Sequence, residues 1–279
     1  MLLAATTLYA QQVTILPTHP SPGSVVRISL VEPDVVELRG EFGGEQIHFR
    51  RIEADRWHAV GAVPLEASKT VTGYAIAELR SGERDTVSIT LNLPAPPPSR
   101  GRARARKLSV APVFTRPLDA ETEARVAREN ERARDVGRRS HDTPRMWSGS
   151  FIRPRSSAIT ARFGSGRMFN GTLAARHLGV DLRGSAGAPV VAANRGVVAL
   201  VDRFFLAGNV VYIDHGNGIV TGYFHLSQTL VTEGDTVARG QKIGLVGATG
   251  RVTGPHLHWS ARYGALTVNP LDLVAIGNW

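Results

Sequence analysis

Residues 196–225 read GVVALVDRFFLAGNVVYIDHGNGIVTGYFH, and the class of fold turns on them. Three runs, Gly196–Val201, Asn209–Asp214 and Ile219–His225, are rich in β-branched and aromatic residues that suit a pleated, half-buried surface. Between the last two lies Asn217-Gly218, a pair that readily supplies the positive φ angles of a two-residue hairpin turn. Short runs at Val190–Ala193 and Lys242–Val246 flank them, with glycine-rich turns between. The texture begins near Ile152, so an all-β unit is predicted over residues 151–279.

Upstream, residues 96–150 read as a basic Pro/Arg linker. Pro94–Pro98 (PAPPP) favours an extended spacer, and Arg102, Arg104, Arg106 and Lys107 follow as an alternating cationic run. Asp119–Arg139 has helical composition, acidic early and basic late, which complements the helix dipole. It is nearly all polar, with Leu118, Val126 and Val136 as its main apolar handles, so it should bridge domains or pack weakly. Residues 11–95 alternate short β-prone runs, Gln46–Arg51 and Thr70–Leu79 among them, with Pro, Gly and Ser turns, the pattern of a small Ig-like β-sandwich. Met1–Ala10 (MLLAATTLYA) resembles the end of a secretory signal, which implies export to the periplasm or cell envelope.

The 279 residues contain no cysteine, which excludes a disulfide scaffold, a thiolate zinc site, an iron–sulfur cluster and a cysteine nucleophile. Any metal must be held by His, Asp or Glu. The net charge of +9 suggests an anionic partner until its distribution is read: residues 96–150 carry thirteen Arg and Lys against seven Asp and Glu. The excess therefore sits mainly in the connector, which argues against a nucleic-acid groove. Weak contact of this Arg run with anionic envelope polymers is the partner it could serve. Oligomeric state is not legible.

Six of the nine histidines lie from His141 onward, and four of them fall into short signatures. His177-Leu178-Gly179-Val180-Asp181 places an imidazole and a carboxylate four residues apart, curving round a loop into a strand because Gly179 and Val180 disfavour a helix. His256-Leu257-His258 would point two imidazoles to one face of a strand. Tyr223-Phe224-His225 would place Tyr223 and His225 together by the same rule. His215, beside the hairpin turn, should be exposed, and His19, His48 and His58 read as ordinary surface or half-buried residues. Each signature alone is weak. Together they offer ligands for an open metal site and further groups for acid–base work.

These motifs, with ITARFG at Ile159, EGDTVARGQKIGLVGATG after Thr232 and the final Asn269-Pro270-Leu271, resemble the lysostaphin/LytM-type zinc endopeptidases over about two-fifths of the chain. The resemblance implies an antiparallel β-sandwich or open barrel of the duplicated hybrid motif type with a central groove. It implies Zn²⁺ bound by His177, Asp181 and His258. It assigns His225 and His256 to orienting or deprotonating the attacking water, and Tyr223 to the oxyanion. The implied substrate is a peptidoglycan peptide, cut as a D,D-endopeptidase. The competing expectation is a catalytically silent relative that binds wall or activates another hydrolase. The β-module and the linker helix are expected to limit access to the groove.

Overall fold

Period-2 alternation in the first part of the chain becomes eight strands: β1 (Gln12–Leu16), β2 (Val25–Val31), β3 (Val35–Phe42), β4 (Glu45–His48), β5 (Arg50–Arg51), β6 (Arg56–Ala62), β7 (Thr70–Leu79) and β8 (Arg84–Asn92). They form two four-stranded sheets, β1-β2-β6-β5 and β4-β3-β7-β8. Val26, Ile28 and Leu30 from one sheet and Phe42, Ile47 and Ile89 from the other are buried in one core cluster. The predicted strand Gln46–Arg51 divides at Phe49: β4 pairs with β3, whereas β5 pairs with β6. One strand-like sequence therefore crosses from one sheet to the other. This computed structural model describes residues 12–95, 105–115, 117–171 and 173–275. The signal-like Met1–Ala10, Pro96–Pro98, Arg102 and Arg104 lie outside the described residues.

The connector contributes β9 (Arg106–Leu108) and α1 (Ala120–Arg139). Asp119 caps α1 by accepting the Thr122 backbone N–H at 2.7 Å. Ala133 and Val136 bury against Leu200, Phe204, Val210, Tyr212 and Val220, so a largely polar helix is held by a short apolar stripe.

Beyond it run β10 (Ile159–Ala161), β11 (Gly166–Phe169), β12 (Leu173–Arg176), β13 (Val180–Arg183), β14 (Pro189–Val191), β15 (Gly196–Phe204), β16 (Gly208–Gly216), β17 (Ile219–Thr229), β18 (Thr236–Val237), β19 (Lys242–Val246), β20 (His256–Tyr263), β21 (Leu266–Val268) and a short α2 (Pro270–Ala275). Most join one antiparallel sheet in the order β10-β13-β20-β17-β16-β15-β18, with β19 pairing β14 and β17, and β21 pairing β20. Asn217 (φ 51°) and Gly218 (φ 82°) make the predicted two-residue turn between β16 and β17. A smaller sheet, β12-β11-β9, attaches the connector: β9 runs parallel to β11.

The sandwich and the C-terminal sheet share one continuous apolar cluster. Polar contacts reinforce the junction. Val25 N–H donates to Asp272 at 3.0 Å, Tyr263 O–H to the Gln46 carbonyl at 2.8 Å, and Ala265 N–H to Glu45 at 2.8 Å. His141 bridges Glu45 and His48, 3.0 Å from each. No helix among the described residues is long and apolar enough to cross a membrane.

Candidate metal centre

β13 and β20 run antiparallel with Asp181 opposite His258, which sets the carboxylate and the imidazole side by side as a cross-strand pair. His177 enters from the loop between β12 and β13, its backbone N–H donating to Ser165 at 2.9 Å. Gly179 lets that loop reach the sheet. A Cβ there would stand 2.5 Å from His258 Nε2 and 2.6 Å from the Trp259 carbonyl. Nε2 of His177, Oδ1 of Asp181 and Nδ1 of His258 converge: His177 lies 2.9 Å from His258 and 3.0 Å from Asp181, and His258 lies 2.9 Å from Asp181. All three residues are buried.

This trio fits a cation by the chemistry of its donors. Nδ1–H of His177 donates to the Arg162 carbonyl at 2.9 Å, which leaves Nε2 of the neutral ring as a lone pair. That lone pair faces a carboxylate oxygen and a second ring nitrogen. A divalent ion held by two imidazoles and one carboxylate would satisfy all three at once. Burial pushes the Asp181 carboxyl up, but the close approach of the His177 and His258 rings outweighs it and holds the carboxyl well below the usual carboxylate range. Burial depresses His258 to about 4 against the pull of Asp181, so the ring is neutral near pH 7.

Two more imidazoles border the trio. His225 and His256 have ring centroids 5.1 Å apart, and His225 lies 5.9 Å from His258. Each donates Nδ1–H to a backbone carbonyl at 2.8 Å, His225 to Thr249 and His256 to Gly254. The Nε2 of His256 is buried without a hydrogen-bond partner among the described residues and lies 3.7 Å from Asp181 Oδ1. Burial, with the charges of His258 and His256, pushes His225 well below its ordinary 6.5. In both rings the bond from Nδ1–H leaves Nε2 as the lone pair.

Two expectations are corrected. Tyr223 does not share a face with His225. A bulge sets Phe224 and His225 opposite Val210 alone, and His225 adopts φ 62° with its N–H donating to the Ala207 carbonyl. The alternation breaks there: Phe224 stacks on His258 at 5.2 Å, while Tyr223 turns into the core. Its hydroxyl accepts the Ala193 N–H at 2.8 Å and lies 2.9 Å from Thr221, so it is spent on structure and does not join the site. His215 is not exposed but wholly buried, bonded to the Arg195 carbonyl and Thr221 at 2.8 Å each. β16 runs on to Gly216, past the predicted end at Asp214, so His215 lies inside the strand.

The sequence did not single out Arg167, Phe224 or Thr249. Arg167 forms a salt bridge to Asp181 Oδ2, leaving Oδ1 toward the imidazoles. A groove of about 280 Å³ borders the trio and is lined by Asp181 and His256, and also by Arg106 and Leu108 of β9. Part of the connector is thus a wall of the site.

Residues 175–270 match the profile of Peptidase family M23. The peptidoglycan DD-endopeptidase ShyA of Vibrio cholerae is 52% identical over 85 residues, 30% of this chain and 20% of ShyA. The DD-carboxypeptidase/endopeptidase Mpg of Neisseria meningitidis serogroup B is 45% identical over 97 residues, 35% of this chain and 22% of Mpg. The chain spans about a fifth of the length of these curated relatives. A Pseudomonas aeruginosa crystal structure assigned to peptidase M23 aligns over 91% of this chain and 95% of its own, with TM-score 0.69 and 26% identity. The C-terminal sheet with its His-Asp-His cluster is a peptidase family M23 domain of the LytM type.

Proposed function

We propose that this protein is a zinc endopeptidase that hydrolyses peptide cross-links of bacterial peptidoglycan, acting as a D,D-endopeptidase outside the cytoplasmic membrane. The observation that carries this reading is the buried trio His177, Asp181 and His258, with its three ligand atoms within 4.8 Å of one another and two further imidazoles beside it. The names of the M23 relatives support the substrate class.

His177 Nε2, Asp181 Oδ1 and His258 Nδ1 would hold the ion. Two imidazoles and one carboxylate favour Zn²⁺ over Ca²⁺ or Mg²⁺, which prefer oxygen. Bound there, zinc supplies Lewis-acid polarisation and lowers the pKa of a water from 15.7 towards about 7. His225 and His256, with Nδ1 fixed on backbone carbonyls, take the proton of the attacking water at Nε2 and return one to the leaving amine. Arg167 keeps the Asp181 carboxylate oriented. No group on the chain need form a covalent intermediate.

The test is incubation of the full chain with purified sacculi, with and without chelator, and identification of released fragments by mass. Chelator-sensitive loss of D,D cross-links is expected. Intact cross-links from a zinc-loaded protein would defeat this reading in favour of a wall-binding or activating role.

A further inference from the structure

The groove beside the metal trio is more cationic than the reaction requires. Arg106, Arg167, Arg183 and Arg251 line it, and Asp181 is its only acidic wall residue among the described residues. Asp181 is already engaged by Arg167 and by the two imidazoles. Arg251 has no carboxylate within salt-bridge range among the described residues; its guanidinium lies over the Phe169 ring at 4.2 Å. Arg106 donates to the Thr160 carbonyl at 3.2 Å, and it arrives from the connector through the pairing of β9 with β11. Burial and the charge of Arg167 both disfavour the charged form of Arg251, which an anion beside it would offset. Arginines held in a partly dry groove offer planar forks that match carboxylate geometry.

We propose that Arg251, assisted by Arg106 and Arg183, receives a substrate carboxylate, and that the enzyme selects cross-links bearing a free carboxylate on the carbon that carries the scissile nitrogen. This rests on the peptidoglycan reading above. A D,D cross-link to meso-diaminopimelate has such a carboxylate beside the amide that breaks. An oligoglycine bridge has none at the equivalent internal position. The arginine wall therefore separates these two substrates by charge, and the connector supplies part of it.

The test uses the full-length, zinc-loaded chain carrying His225→Asn, so that bound peptide is not cut, and measures equilibrium binding of cross-linked muropeptide dimers. Three dimers are compared: unmodified, amidated only on the diamino acid beside the scissile bond, and amidated only on the glutamate. The first modification is expected to weaken binding about ten-fold and the second less than two-fold. Adding Arg251→Gln should bring the first ratio to within two-fold of unity. Arg106→Gln, on an exposed part of β9, should reduce it as well and serves if Arg251→Gln misfolds. Equal binding of all three dimers, sensitivity confined to the glutamate, or a ratio unchanged by either substitution would overturn the proposal. Cleavage of free and amidated dimers alike by the unsubstituted protein would leave the peptidase reading intact and overturn this one. Failure to cleave any dimer would sink the peptidase reading, while the binding comparison still decides this one.

Discussion

Single residues in this site are constrained by backbone as much as by chemistry. His225 occupies a left-handed conformation, at φ 62°, that asparagine tolerates better than alanine. His225→Asn should therefore keep the fold and the bound zinc while turnover falls by about 10²- to 10⁴-fold. Zinc stoichiometry and kcat measured on one preparation check this, and unchanged turnover would remove His225 from the mechanism. Gly179→Ala should act in the opposite order. Its methyl would press on His258 Nε2 and the Trp259 carbonyl, so zinc uptake should fail first and activity with it. Tyr223→Phe tests the corrected position of that residue. It strips the buried Ala193 N–H of its acceptor, at a cost of about 1–3 kcal/mol, with kcat/KM within a few-fold of the parent. A hundred-fold loss of rate at undiminished stability would return Tyr223 to the site. The coming together of His177, Asp181 and His258, with His256 beside them, was legible in the sequence because three motifs, each weak alone, converge on one place. The left-handed turn at His225 and the salt bridge of Arg167 were not, since both depend on partners distant in sequence.

Among elements, strands whose apolar and β-branched runs are bounded by turn residues were the legible ones. Thr70–Leu79 and Lys242–Val246 have the predicted bounds, and the Asn217-Gly218 turn lies where expected. β9 was not legible. An alternating Arg run looks like solvated linker, and only the non-local, parallel pairing of Arg106–Leu108 with Arg167–Phe169 reveals it as groove wall. The linker helix was legible in extent but not in the way it docks. Its apolar stripe is short, and Gly137 approaches the backbone of Gly264 too closely for any Cβ. Gly137→Leu should lift the C-terminal half of α1 from the sheet. Amide exchange in residues 130–139 would then rise well above that of β20, whereas equal protection in parent and variant would show that this contact does not hold the helix.

At the scale of the whole molecule, the sandwich, the connector and the M23 domain are joined by one apolar cluster and by a polar seam containing His48, His141 and Glu45. Buried histidines then make stability depend on pH. Burial lowers His215 from 6.5 to about 4, and burial with the neighbouring His141 lowers His48 to about 4. In each case the unfolded chain takes up the proton at a higher pH than the folded one. The stabilisation is thus present above about pH 6.5 and is lost as pH falls through about 4. For the fully buried His215 the loss over that window is roughly 3 kcal/mol. His48, only half-buried, adds less. Urea unfolding in chelator, which keeps metal release out of the comparison, should show stability declining between pH 6.5 and 4, with a shallower decline in His48→Gln. A flat profile across that window would mean that His215 and the seam accommodate charge without opening. The part of the decline that His48→Gln removes is what ties the junction between sandwich and M23 domain to the acidity of the surroundings.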